Sequence, residues 1–176
     1  MQFRPIKSLK EKIVQYQLFE TANKLNDIIS LEIKKNVFKK RHNLSGEISN
    51  NGGIEIYNSV SLIMFKPNLG PLVSLNIKCV NTDSERTESN LKLERVNGPT
   101  FLLQYWFSLI FVVITFGIGI YQMFTSGFEK LEVLFLPLLG IGYHLLIRLI
   151  ANGTTDGLIS KVERILQKER IRYRKI

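Results

Sequence analysis

The sequence is poor in the residues that build disulfide and metal sites, with one cysteine and two histidines in 176 residues. A single thiol, Cys79, excludes an intrachain disulfide framework. Cys79 with His42 and His144 is also too small a set for a cysteine–histidine zinc site. We therefore expect no metal and no cofactor, and we interpret Cys79 as a small core residue on the apolar side of a strand.

Motifs that carry catalysis are lacking as well. The sequence contains no GxSxG nucleophile motif, no glycine-rich phosphate loop, no HExxH and no CxxC. Its carboxylates are scattered through polar turns and the C-terminal tail rather than paired at a fixed spacing. We expect a protein that is not an enzyme.

Charge is the third scarcity, and it is confined to one part of the chain. Between residues 101 and 150 the only charged side chains are Glu129, Lys130, Glu132 and Arg148. A buried helix of a soluble protein rarely runs this long without an ionised face. The scarcity therefore favours a membrane-spanning region.

Two segments of this region are long enough to cross a bilayer, Phe101–Phe124 and Leu131–Ile150. A hydrocarbon core of about 30 Å takes roughly 20 helical residues. The connection of residues 125–130 is short, so we predict an antiparallel helical hairpin. Pro137 is expected to kink the second helix in its first third.

Positive charge flanks this hairpin on its outer sides. Residues 1–99 carry 15 Lys and Arg against 10 Asp and Glu, and residues 151–176 carry 7 against 3. This is the positive-inside pattern of a hairpin with both termini in the cytoplasm. The first residues contain no apolar run typical of a cleavable signal peptide. We expect a multi-pass protein of the cell (inner) membrane.

Small and polar residues within the spans suggest how the helices associate. Small residues let helix backbones approach closely, either inside one hairpin or between copies of the chain. Polar residues at depth are expensive and are candidates for lining a pore, although His144 has the alternative of a structural role near the interface. The candidate packing residues are Thr115, Gly117, Gly119, Gly140 and Gly142, and the candidate intramembrane polar residues are Gln104, Ser108, Gln122 and His144.

The N-terminal region, residues 1–42, is predicted to form an amphipathic helix. Apolar residues recur at helical spacing from Ile6 to about Lys40, with a possible break near Asn26. Ser8 and Glu11 have the spacing of a capping box. The basic end is either a solvated helix end or a contact with acidic headgroups. Its contact candidates are Lys39, Lys40 and Arg41.

Residues 43–99 change to a period of two. Short alternating segments separated by Asn- and Gly-containing turns predict about five antiparallel strands, one of them at residues 60–65. In the strand at 73–79, Val73, Leu75, Ile77 and Cys79 alternate with polar residues. We predict a cytosolic β meander with the N-terminal helix on one face.

The tail, residues 151–176, is predicted to form a separate basic amphipathic helix. Asn152 and Gly153 indicate a helix stop, and residues 154–156 offer N-caps for a helix over 157–176. Its apolar face is built from Leu158, Ile159, Val162, Ile165 and Leu166. The candidate membrane-surface or phosphate contacts are Lys168, Arg170, Arg172, Arg174 and Lys175. One aromatic, Tyr173, is thin support for a nucleic-acid site, so we do not expect nucleic acid as a partner.

The order of these parts is an α+β membrane protein, and its layout over residues 43–176 resembles small two-helix membrane proteins of bacteria. It is similar in build to membrane effectors of anti-phage (antiviral defence) systems, in which a cytosolic sensing domain lies beside an oligomerising hairpin. The resemblance implies a homo-oligomer in the lipid bilayer that senses a cytosolic protein or nucleotide and forms a pore or disrupts the membrane. The alternative is an accessory subunit that anchors a cytosolic complex to the membrane.

Overall fold

The computed structural model describes residues 12–35, 43–49, 53–58, 70–82, 88–126, 132 and 135–176. These residues form an α+β fold with an antiparallel sheet and two long apolar helices, as the sequence predicts, but with six strands instead of about five and three helices instead of four. The strands are β1 (Ile13–Leu18), β2 (Leu44–Ile48), β3 (Ile54–Asn58), β4 (Val73–Asn81), β5 (Ser89–Asn97) and β6 (Tyr173–Lys175). The helices are α1 (Ala22–Lys34), α2 (Pro99–Ser126) and α3 (Phe135–Lys168).

The six strands are ordered β2-β3-β4-β5-β1-β6, and each pairs antiparallel with its neighbours. The register places Ile77 opposite Leu93, and Leu91 opposite Tyr16. Because strand side chains alternate between faces, this register brings the apolar residues of neighbouring strands to one side of the sheet. That side is the core.

Two helices cover this apolar face. Leu25 and Ile29 of α1 pack into the same buried cluster as Leu158, Val162 and Leu166 of α3. The tail residues predicted to share one apolar face, Leu158, Ile159, Val162, Ile165 and Leu166, are all buried there. The C-terminal half of α3 therefore belongs to the sheet domain, whereas its N-terminal half packs against α2.

The prediction of a continuous N-terminal helix is wrong over residues 13–18, which form β1. Val14, Tyr16 and Leu18 point into the core and alternate with more exposed residues. Helix α1 begins only at Ala22, with Thr21 as N-cap: its hydroxyl accepts a hydrogen bond from the Lys24 amide. The predicted capping box and the basic end of this helix lie outside the described residues, as does the predicted strand at 60–65.

Strand β5 leads directly into α2 through Gly98. The Gly98 amide donates to the Leu72 carbonyl at 3.0 Å, and a Cβ on Gly98 would lie 1.8 Å from the Pro71 oxygen. Only glycine fits this close approach. Pro99 then opens the helix, a position where its missing N–H costs no hydrogen bond. The end of β5 and the start of α2 are thus held together rather than joined by a loose linker.

Helix α3 continues through Asn152 and Gly153, so the predicted helix stop is wrong. Its 34 residues correspond to a length of about 51 Å. The helix ends instead at Lys168, where Arg170 adopts a positive φ of 55° and the Ile171 amide donates to the Leu166 carbonyl. This is a Schellman ending, completed by the burial of Ile171 with the core.

One further prediction for this region is wrong. Residues after the Schellman ending are not helical, because Tyr173–Lys175 form the edge strand β6 beside β1. Pro137 lies in the first turn of α3 as the structure describes it, from Phe135. A proline is tolerated there because first-turn amides have no partner within the helix.

Both α2 and α3 are long and apolar enough to cross a membrane. Only 17% of the most apolar stretch of α2 and 22% of that of α3 are buried. Twenty-one of the 27 exposed large hydrophobic side chains among the described residues lie on these two helices, between Leu103 and Leu149. The core helix of a soluble protein buries such residues, so this exposure is compatible with insertion in a membrane.

Candidate functional site

A hydrogen-bonded group joins α2 to α3 between the two apolar stretches. Ser108 Oγ donates to its own helix at the Tyr105 carbonyl, 2.7 Å away, and lies 2.8 Å from His144 Nδ1. The Ser108 hydroxyl and His144 Nδ1 form a hydrogen bond whose donor depends on the tautomer of the imidazole. The Tyr105 ring lies against the imidazole, with ring centroids 4.7 Å apart. Two of the predicted polar residues, Ser108 and His144, are thus partners within one hairpin.

The helices α2 and α3 are in close contact at Gly140. A Cβ on this glycine would lie 2.7 Å from Val112 Cγ2 and 2.9 Å from Phe111 Cδ1. Thr115 is buried as well, with its hydroxyl donating to carbonyls of its own helix, and Gly119 is buried further along. Gly140 therefore packs against the other helix of the same chain. This is the first of the two alternatives, packing inside one hairpin instead of between copies of the chain.

The remaining small residues of the predicted set point away from the hairpin. Gly117 and Gly142 are exposed, and a Cβ on either would find no atom within 4 Å. The two glutamines differ from Ser108 and His144 because neither has a hydrogen bond to the other helix among the described residues. Gln104 is half-buried, and the buried Gln122 Oε1 has no hydrogen-bond partner in that part of the chain.

A ladder of aromatic and cationic groups marks the place where the hairpin meets the sheet domain. The Arg95 guanidinium carbon lies 5.4 Å from the centroid of the Phe101 ring, and the Phe101 and Tyr105 centroids are 5.9 Å apart. The Arg148 guanidinium carbon lies 5.8 Å from the Tyr105 centroid on the next step of the ladder. These distances are within the range of cation–π interactions.

Arg95 also connects β5 to α3 by hydrogen bonds to two side-chain amides. Its Nε donates to Asn97 Oδ1 at 2.8 Å and its Nη1 donates to Asn152 Oδ1 at 2.6 Å. Burial lowers the pKa of Arg95, and the charge of Asp156 raises it in part. Asp156 itself forms an ion pair with Lys12, which precedes β1. The sheet domain therefore contacts α3 at Asn152 and again one turn later at Asp156.

Further along α3, buried polar contacts hold the helix to the sheet. Tyr16 donates to Glu163 at 2.5 Å, and burial, followed by the Glu163 contact, raises the tyrosine pKa above its ordinary value. Lys161 donates to Asn58 Oδ1 at 2.6 Å, and burial lowers its pKa, with a smaller effect of Arg164. Burial likewise raises the pKa of the Cys79 thiol, which is half-buried beside the core.

The predicted membrane-surface residues do not form one group among the described residues. Lys168 is exposed at the last position of α3, and Arg170, Arg172, Arg174 and Lys175 are exposed along the Schellman ending and β6. Lys39, Lys40 and Arg41 lie outside the described residues. The basic tail is therefore part of a sheet edge, where charged side chains oppose unwanted strand pairing.

Sequence reasoning missed Arg95 and Asn152 as residues of the boundary. Arg148 could be placed near the end of the second span from the sequence, because it is the only charged residue between Lys130 and Asp156 apart from Glu132. Arg95 and Asn152 gave no such signal, since their meeting depends on α3 continuing past Gly153. Among the described residues, no group of three or more His, Cys, Asp or Glu side chains is placed to hold a metal ion.

In comparisons with known proteins, no protein-family profile, curated protein or solved structure matches this chain.

Proposed function

We propose that this chain is a non-enzymatic integral membrane protein whose α2–α3 hairpin crosses the bilayer while its sheet domain binds a partner or ligand on the cytosolic side. The single observation that carries the proposal is the continuity of α3. Its N-terminal half is apolar and exposed, and its C-terminal half supplies the core of the sheet domain. One rigid helix therefore joins the two parts, and displacement of the sheet domain is transmitted to the hairpin.

The exposed surface supports the membrane assignment. Exposed hydrophobic side chains cover α2 and α3 as far as Leu149, and the amide and charged groups of Asn152 and Asp156 follow within two turns. In water such a surface would aggregate, whereas lipid tails accept it without cost. Tyr105 and Trp106 lie near the same boundary, where aromatic rings favour the headgroup level.

Two modes of action are consistent with this architecture, and they differ in whether copies of the hairpin associate. Self-association into a pore is favoured by the outward-facing Gly117 and Gly142 and by Gln122 Oε1, which has no hydrogen-bond partner among the described residues. Anchoring of a cytosolic complex is favoured by the Ser108–His144 pair, because these polar groups satisfy each other inside one hairpin. Pore formation corresponds to a membrane effector, and anchoring corresponds to an accessory subunit of a cytosolic complex.

Insertion and mode of action are tested in two steps with the full chain. Resistance to alkaline carbonate extraction from vesicles of neutral lipid is the expected result for a spanning hairpin, and complete extraction would refute it. Mass photometry in detergent with dye leakage from vesicles then separates the modes. Oligomers that release dye support the pore, and a monomer that releases none supports the anchor.

A further inference from the structure

The boundary between the hairpin and the sheet domain has more positive than negative charge. Lys12, Arg95 and Arg148 lie there; among the described residues, Asp156 is paired with Lys12, and the nearby Glu94 is paired with Lys92. Arg95 bonds directly to neutral amides, and Asp156, which also pairs with Lys12, offsets its charge only in part. Arg148 is exposed, and no carboxylate of the described residues lies within ion-pair distance of it.

The aromatic ladder holds the two guanidinium groups in place. Arg148 lies over Tyr105 and Arg95 over Phe101, with the two rings next to each other. A guanidinium held over a ring loses little further freedom on binding and still has N–H donors free for a phosphate. The arrangement is therefore suited to a phosphate oxygen that approaches from the hairpin side.

The surroundings of Arg148 decide which phosphate can reach it. Three apolar side chains on the same stretch of α3 are at least half exposed: Leu145, Leu146 and Leu149. On α2, Trp106, the residue after Tyr105, is about half exposed. A soluble anion would have to displace lipid tails that cover these apolar side chains. A phospholipid instead brings its own acyl chains to them and its headgroup to the arginine.

We propose that Arg148, supported by Arg95, binds the phosphate of an anionic phospholipid headgroup at the cytosolic surface of the bilayer. This inference rests on the proposed function, because the hairpin must first be inserted. Bound in this way, the lipid supplies a counter-charge for Arg148, which has no ion-pair partner among the described residues. It also fixes the depth at which α3 leaves the membrane.

The test uses native mass spectrometry of the full chain in detergent with equal amounts of phosphatidylglycerol and phosphatidylcholine of the same acyl chains. The wild type is expected to retain phosphatidylglycerol in preference. Arg148→Gln is expected to lower the ratio of the two bound lipids about fivefold, since one interfacial basic residue contributes a factor of that order. Arg148→Lys should retain most of the preference.

The matched control is Arg164→Gln, because Arg164 is an exposed arginine of the same helix in the sheet domain. An unchanged ratio in Arg148→Gln, or an equal fall in Arg164→Gln, would overturn the inference. Displacement of the bound phosphatidylglycerol by inorganic phosphate would also overturn it and assign the site to a free anion. Carbonate extraction from neutral vesicles, measured in parallel, reports the failure of membrane insertion separately.

Discussion

At Gly140 the distance between α2 and α3 is set by the absence of a side chain. The nearest atoms to a Cβ built there belong to Val112 and Phe111, and neither is the far end of a flexible chain. We expect Gly140→Ala to destabilise the hairpin by about 1–3 kcal/mol through overpacking. Gly142→Ala is the matched control, because open space surrounds its Cβ. Thermal unfolding in detergent compares the two, and equal melting temperatures would contradict the packing at Gly140.

Tyr16 gives the stability of the sheet domain a dependence on alkaline pH. Burial and the bond to Glu163 raise its pKa in the folded protein, whereas in the unfolded chain the pKa is about 10. The unfolded chain therefore loses the tyrosine proton first, so the contribution is complete below about pH 10 and falls as pH rises. Tyr16→Phe should show a shallower fall of the unfolding free energy between neutral and alkaline pH. An identical slope in both proteins would show that Tyr16 is not responsible.

At the scale of elements, the continuity of α3 is the feature that the sequence concealed. Asn152 and Gly153 are typical of a helix end, but Gly153 has no positive φ and its exposed position has no atom within 4 Å of a built Cβ. What keeps the helix intact is tertiary contact on both sides, with Ala151 and Thr155 buried. Local propensity was outweighed by packing, which a single sequence does not display.

The first strand was concealed in a different way. In β1, the buried residues Val14, Tyr16 and Leu18 alternate with polar or exposed neighbours. However, Ile13, Tyr16 and Phe19 are three residues apart, a helical spacing that continues into α1. Both periods fit so short a segment. By contrast, β4 and β5 were predictable because their alternation runs longer, and α2 because no charge interrupts it. Of the candidate site, the polar residues of the spans could be named, whereas the pairing of Ser108 with His144 required the helix register.

If α3 is continuous, two substitutions of Gly153 should change the stability of the protein in opposite directions. Gly153→Ala should stabilise the protein by up to about 1 kcal/mol, because alanine has the higher helix propensity and nothing obstructs its methyl group. Gly153→Pro should destabilise it by about 3 kcal/mol or more by removing a helical hydrogen bond and introducing a clash with the preceding turn. Thermal unfolding in detergent measures both. A destabilising Gly153→Ala would indicate a left-handed glycine and hence a broken helix.

At the scale of the whole molecule, the chain enters and leaves its apolar hairpin on the same side. Gly98 and Asn152 both lie at the sheet domain, because Arg95 bridges the end of β5 to α3 there. Both ends of the hairpin are therefore fixed to one body, and the far end of α2 is separated from it by the length of the helix. For the proposed membrane protein, the positive-inside rule predicts a cytosolic sheet domain, since the sequence on both outer sides of the hairpin has an excess of Lys and Arg.

This orientation is testable with single cysteines introduced in a Cys79→Ser background. Ser160 is exposed on the part of α3 that belongs to the sheet domain, and Ser126 is the residue at which α2 ends. An impermeant maleimide should label Ser126→Cys in intact cells and Ser160→Cys only in inside-out vesicles. The opposite pattern would place the sheet domain outside the cytoplasm, and labelling of both from the same side would exclude a spanning hairpin. Because each variant controls for the reactivity of the other, the comparison depends on the side of the membrane and not on the exposure of the thiol.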